Sequence, residues 1–258
     1  MTIKAVLAGF SPIIDSLATI TWAADYAGRL HAPLRVVLAD GGSLPALYNA
    51  TATVRTRYPQ LSLSAMTAND SLVDALLDRA TDAHLIVVDR AAAKAGMAAT
   101  VAAQASCPVA TVAPGTAWDG ENRPILVGAD GTEHSEQALR WAFTEADRLG
   151  RGVRVVHCQP HRTSTEQRNS VFDLVSLFAG RYPAMAMQLH TLVCAPADAL
   201  AWHSQFAAMV LIGHHEHGIG GRIYRRVLRE AACPVVIAGP DTILDAAIAA
   251  PALDTVRS

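Results

Sequence analysis

The chain has little of what marks several functional classes. Its 258 residues include only four cysteines, Cys107, Cys158, Cys194 and Cys233, and no two form a CxxC pair. That usage predicts buried thiols of a reduced compartment. Charged residues make up 17% and the formal net charge is −2, so there is no electrostatic case for a nucleic-acid partner. No run approaches the ~20 apolar residues of a spanning helix, and no membrane partner is expected. The apolar opening, Met1–Leu7, breaks at Gly9 and Ser11-Pro12. It is too short for a secretory h-region, and the expected location is the cytoplasm. GxxxxGK[ST] and GxSxG are both absent. With neither a Walker lysine nor a nucleophile elbow, the chain is expected not to be an enzyme.

Apolar residues are plentiful, at 51%, enough to build real cores. They are also arranged twice. Shifted by 119 residues (124 − 5), residues 5–38 lie on 124–157 without a gap, and eleven of the 34 pairs are identical. These include Leu7/Leu126, Gly9/Gly128, Trp22/Trp141, Ala27/Ala146, Arg29/Arg148 and Val36/Val155. Near the ends of the halves, Ser106-Cys107-Pro108-Val109 answers Ala232-Cys233-Pro234-Val235 at an offset of 126 (232 − 106). A period this long, with matched starts and ends, means domain duplication. The expected units are residues 1–115 and 123–240, joined by the turn-rich stretch 114–122. A tail, 241–258, carries Ile243, Leu244, Ala247 and Ile248 at helical spacing.

Each half alternates short apolar runs with helical stripes. In the second, strands are predicted at Pro124–Gly128, Val153–Val156, Met187–Val193, Met209–Ile212 and Pro234–Ala238. Thr132 caps a helix whose stripe is Ala138, Leu139, Ala142, Phe143, Ala146 and Leu149, ended by Gly150. Further helices are marked by Val171, Leu174, Val175 and Phe178, then by Asp198–Phe206 and Ile223–Ala232. The first half predicts strands near Ala5–Ala8, Arg35–Ala39, Leu61–Thr67, Leu85–Val88 and Val109–Ala113, with its first helix opened by Ser11-Pro12. Strand–helix alternation demands right-handed crossovers. The fold class is therefore α/β: two tandem doubly wound domains, each a five-stranded, mostly parallel sheet with helices on both faces. Ligands of such sheets sit at the strand C-terminal ends, near the switch in strand order.

Three segments open the second half in order: Val127-Gly128-Ala129-Asp130-Gly131-Thr132, Ala138-Leu139-Arg140-Trp141-Ala142 and Val153-Arg154-Val155-Val156-His157. Val210-Leu211-Ile212-Gly213 and Ala231-Ala232-Cys233-Pro234-Val235-Val236-Ile237 close it. Together they resemble the universal stress protein family, and the first half resembles it in a more diverged form. The resemblance implies a stress-response role, regulatory or protective. It also implies the chemistry of those members that bind ATP. Their signature after the fourth strand is Gly, two residues, Gly, nine residues, then Gly followed by Ser or Thr. Glycines let backbone approach phosphate, and N–H groups at the helix start take up its charge. An Asp ending the first strand contacts the nucleotide, and backbone at the end of the second strand faces adenine.

This chain departs from that pattern. Gly213 fits the first glycine, but Glu216 stands at the second and Arg226 at the third, since 213 + 3 + 10 = 226. Counting back from Cys233-Pro234 puts the helix start at Gly221-Arg222, in a loop about five residues short. Gly218, Gly220 and Gly221 keep the loop glycine-rich, Arg222, Arg225 and Arg226 offer positive charge, and Asp130 is retained. In the first half Ser11 replaces the Asp, Val88-Asp89-Arg90 replaces the first glycine region and Gly96 alone remains near the helix start.

Two readings stand. In one, the second domain holds ATP or another adenine nucleotide through Ala129, Asp130, Gly213, Gly218, Gly221 and Arg222. In the other, neither half binds ATP and the chain is a dimerisation and interaction scaffold. Weak ATP hydrolysis is a third alternative, dependent on the first. His214-His215-Glu216-His217 is the one metal-like cluster, but adjacent loop residues do not all converge on one ion, and no metal is expected. Trp22 and Trp141 are read as core. A Cys107–Cys233 bridge requires that the two final strands meet. Those strands, Val109–Val112 and Val235–Ala238, are apolar and are the ones through which domains of the family pair. They predict an intrachain pseudo-dimer of the two halves, with a homodimer of chains also expected.

Overall fold

The computed structural model describes residues 4–10, 17–38, 42–69, 71–91, 96–116, 122–159, 165–214 and 218–239. The Ser11-Pro12 cap, most of the linker, His215, Glu216, His217 and the tail lie outside the described residues.

In the first half, β1 (Ala5–Phe10) leads to α1 (Leu17–Arg29), β2 (Leu34–Leu38), α2 (Leu44–Arg57), β3 (Leu63–Thr67), α3 (Leu72–Leu77), β4 (Ala83–Asp89), α4 (Met97–Gln104) and β5 (Val109–Val112). The second half runs β6 (Ile125–Gly128), α5 (Glu133–Leu149), β7 (Val153–Cys158), α6 (Thr165–Arg181), β8 (Met187–Leu192), α7 (Pro196–His203), β9 (Met209–Gly213), α8 (Gly218–Glu230) and β10 (Val235–Ala238). Every residue of β1 and of β9 is buried, as strands covered on both faces require.

All ten strands form one sheet in the order β3-β2-β1-β4-β5-β10-β9-β6-β7-β8. Read outward from the middle, each half gives the same sequence of first, second, third, fourth and fifth strands. Pairing within each half is parallel. The halves join where β5 meets β10 antiparallel, with Ala110 opposite Val236 and Val109 opposite Ile237. Two apolar layers sandwich the sheet. One contains Trp22, Tyr26, Trp141 and Phe143 and spans both halves. The other contains Leu76, Val101, Leu200 and Val227. Trp22 and Trp141 are 1% and 4% exposed, core residues of the first layer.

Helix α5 shows how the sequence sets these elements. Asp130 Oδ1 accepts from the Thr132 N–H at 3.0 Å and from its hydroxyl at 2.6 Å. Thr132 Oγ1 then caps the helix by accepting from the Ser135 N–H. Gly131 between them has φ 82°, a left-handed conformation that favours glycine. The apolar stripe of α5 is buried from Ala138 to Ala146 and partly buried at Leu149, and Phe143 stacks on Phe178 of α6 at 4.6 Å between ring centroids.

The antiparallel join also decides the cysteine question. Partners in the β5–β10 ladder sum to 346, as in 110 + 236. Extended, that register sets Cys107 opposite Gly239 and Cys233 opposite Ala113. The two cysteines therefore lie about six residues apart along the ladder, roughly 20 Å, which excludes a bridge between them. Cys194, expected to be buried, is exposed, because it falls beyond the end of β8.

Candidate functional site

In the second half the chain leaves β6 toward β7 and β8 on one side, and β9 and β10 lie on the other. The switch in strand order therefore falls between β6 and β9, which pair directly, with Val127 beside Leu211. The loops after these two strands open at the same end of the sheet, where doubly wound folds hold ligands.

The loop after β6 carries Ala129 and Asp130. Ala129 is buried, and its N–H donates to the Val156 carbonyl at 3.0 Å. Asp130 is exposed and shapes the turn described above. β9 ends at Gly213, in register with Ala238, and its loop follows. A Cβ at Gly213 would lie 2.5 Å from the His134 carbonyl oxygen. That contact shows that the end of β9 presses on the first turn of α5, and it gives the glycine a packing reason independent of any ligand. His214 follows, buried, its N–H donating to the Ala238 carbonyl at 2.8 Å.

Two expectations are corrected here. The eighth helix starts at Gly218, not at Gly221-Arg222. Gly218, Gly220 and Gly221 thus lie in its first turn, and the N–H groups of Gly218 and Gly220 precede the first i→i−4 acceptor of the helix. Arg226 is not a spare cation. It bridges to Asp198 of α7 and to Glu230 at 3.1 Å. Arg222 and Arg225 are exposed on α8.

His157 was not singled out from sequence. It is 1% exposed in β7, and its Nδ1 donates to the Ala129 carbonyl at 2.8 Å. With the proton on Nδ1, the neutral ring's Nε2 is an acceptor, and among the described residues no group bonds to it. The side-chain nitrogen of Gln159, two residues on, is also buried without a partner. The available signal was a polar residue continuing the Val153, Val155 face of a buried strand.

The first half is built differently at the equivalent place. The end of β4 pairs Asp89 with Val112, as the end of β9 pairs Gly213 with Ala238. Asp89 is 3% exposed and accepts from the Ala91 N–H at 2.6 Å and the Thr19 hydroxyl at 3.4 Å. A buried carboxylate there opposes an incoming phosphate. Arg90 turns away from the strand end and donates to the carbonyls of Ala231, at 2.6 Å, and of Cys233 in the other half. Burial lowers its pKa from the usual guanidinium value.

Among the described residues no three His, Cys, Asp or Glu side chains are grouped to hold a metal ion, and no helix is long and apolar enough to cross a membrane.

A sequence model described as "Universal stress protein family" matches residues 121–177, the segment from the linker through α6. The chain is similar to the universal stress protein family, and the model match falls on the opening of its second half. Universal stress protein Rv2005c of Mycobacterium tuberculosis is 28% identical over 205 residues, covering 69% of this chain and 70% of the relative. Among solved structures, a universal stress protein from Archaeoglobus fulgidus superposes with a TM-score of 0.65 at 13% identity, covering 92% of this chain and 97% of its own. A functionally unknown protein from Pseudomonas aeruginosa PAO1 gives 0.64 at 19% identity, with 93% of both chains covered. These likenesses show that the whole two-part universal stress protein fold is shared.

Proposed function

We propose that this chain is a universal stress protein acting as a non-catalytic, nucleotide-responsive regulator whose second half receives an adenine nucleotide, with the first half as its fixed partner in an intrachain pseudo-dimer. The observation that supports the reading is the direct pairing of β6 with β9 at the switch in strand order. The Asp130 turn and the glycine-rich start of α8 follow these two strands at the same end of the sheet. The first-turn N–H groups of Gly218 and Gly220 suit a phosphate. The Asp130 carboxylate suits ribose hydroxyl donors. The unpaired His157 Nε2 suits the exocyclic amine of adenine, and a carbonyl at that place, as in guanine, does not match it. Buried Asp89 argues against a second site in the first half.

The test is thermal melting of the full chain with millimolar AMP, ADP, ATP or GMP. A nucleotide at about 100 times its Kd stabilises by about 2.7 kcal/mol. The adenine series should raise Tm and GMP should not, and Asp130→Ala should remove the shift. Phosphate release should stay at background. If none of the adenine nucleotides moves Tm, the reading fails, and the scaffold reading stands in its place. That second reading is favoured by one observation: packing on His134 already accounts for Gly213.

A further inference from the structure

Cys158 ends β7, in register with Leu192 at the end of β8, and the Gln159 N–H extends the ladder to the Leu192 carbonyl at 2.8 Å. Cys194 lies two residues beyond Leu192, just before the Ala195 cap of α7. This geometry brings the Cys158 and Cys194 sulfurs to 3.8 Å, although the residues are 36 apart in sequence. The two thiols are unequal: Cys158 is buried and Cys194 is exposed. A disulfide needs S–S of about 2.05 Å, a closure within reach of side-chain rotation from the observed separation.

We propose that Cys158 and Cys194 form an oxidisable dithiol, a peroxide-responsive modification site in the second half of the chain. The Cys194 thiolate attacks one oxygen of hydrogen peroxide. The O–O bond breaks, Cys194 becomes a sulfenic acid, and the released hydroxide leaves as water with the proton the thiol gave up. The Cys158 sulfur then attacks the sulfenic sulfur. The S–S bond forms as the S–O bond breaks, and the second oxygen leaves as water with the Cys158 proton. Two thiols and one peroxide give one disulfide and two waters. Burial, and then the neighbouring Cys194, push the Cys158 thiol up to about 12. Cys194 is therefore the sulfur that peroxide meets first, and Cys158 is the resolving partner. The bond ties the end of β7 to the entry of α7 and closes a loop containing α6 and β8. Cys107 and Cys233 are buried elsewhere and stay reduced.

The test treats the reduced full chain with excess hydrogen peroxide, alkylates it and maps tryptic peptides without reduction. Cleavage after Arg154, Arg162, Arg181 and Arg222 places the two cysteines on separate peptides. The expected product is that pair joined with loss of two hydrogens, in a monomer, reversed by dithiothreitol. Its Tm should rise by roughly 5 °C or more. Cys194→Ser, a surface change, should abolish the linkage and leave the other thiols alkylatable. In Cys158→Ser, Cys194 should stall as a sulfenic acid that dimedone traps. Three wild-type results overturn the proposal: no oxidation, Cys194 over-oxidised while Cys158 remains alkylatable, or a Cys194-linked dimer of chains as the main product.

Discussion

Tyr26 and Glu145 stand 119 residues apart, the offset of the repeat, and the Tyr26 hydroxyl donates to Glu145 Oε1 at 2.5 Å. Equivalent positions of the two halves thus touch across the join. Two identical domains arranged in this way would set Tyr against Tyr or Glu against Glu. Fusion in one chain permits an unlike pair, and the chain has built on it. His84 Nε2 lies 3.0 Å from Glu145 Oε2, and an Arg148 nitrogen lies 3.6 Å from the same oxygen. Glu145 is fully buried, so its partners are its only solvation.

Removing that carboxylate should be costly. Glu145→Ala takes the short charged acceptor from the Tyr26 hydroxyl, which keeps His84 Nε2 at 3.3 Å, and should destabilise by about 3–5 kcal/mol in urea unfolding. Glu145→Gln keeps one oxygen for Tyr26 and should cost less, about 1–2 kcal/mol. Equal losses for the two variants would mean that packing, not the hydrogen bonds, sets the cost.

Arg90 gives a second cross-half test. Arg90→Met fills similar space but strands the Ala231 and Cys233 carbonyls, and should cost about 2–4 kcal/mol. Arg90→Lys keeps the charge but cannot donate in the same fork, and should recover only part of the loss. Urea midpoints of the three proteins decide it.

Gly213 and Gly128 make a contrasting pair. A methyl at Gly213 meets the backbone of His134 at 2.5 Å, whereas at Gly128 it meets the Leu200 side chain at 3.1 Å. Backbone in a packed core cannot step aside as a leucine methyl can. Gly213→Ala should destabilise by about 1–3 kcal/mol and Gly128→Ala by less. The comparison is made by thermal and urea unfolding without nucleotide.

Stability should fall on the alkaline side. Burial holds the Cys107 and Cys233 thiols up to about 12, while unfolded thiols ionise near 8.5. Above that pH the folded state binds more protons than the unfolded state, so stability drops as pH rises. The slope is at most about 1.4 kcal/mol per pH unit for each thiol. Tyr26, raised by burial and then by Glu145, adds to the loss above about pH 10. Urea unfolding at about pH 8 and about pH 10 measures the slope, and a Cys107→Ala, Cys233→Ala double variant should reduce it, leaving the contribution of Cys158, also held up to about 12.

Much of this architecture was legible in the sequence, because parallel strands buried on both faces read as apolar runs, and duplication displays each run twice. All ten strands fell within a few residues of their predicted places. Helix boundaries were harder. Gly218, Gly220 and Gly221 look like loop residues, yet α8 begins at Gly218. What periodicity could not reveal was contact between distant positions. The repeat aligned Tyr26 with Glu145, but only the antiparallel join of β5 and β10 makes equivalents meet. The β7–β8 register alone brings Cys158 to Cys194, and the orphaned nitrogen of His157 is visible only once Ala129 occupies the other one.

The join of β5 to β10 also limits quaternary assembly. Each of these strands has its backbone satisfied on both sides within one molecule, so neither is an open rim on which another copy could continue the ladder. The rims that remain are β3 and β8, at opposite ends and each partly exposed. A second chain arriving by strand addition would lengthen the ribbon at its tips and leave the seam between the halves untouched.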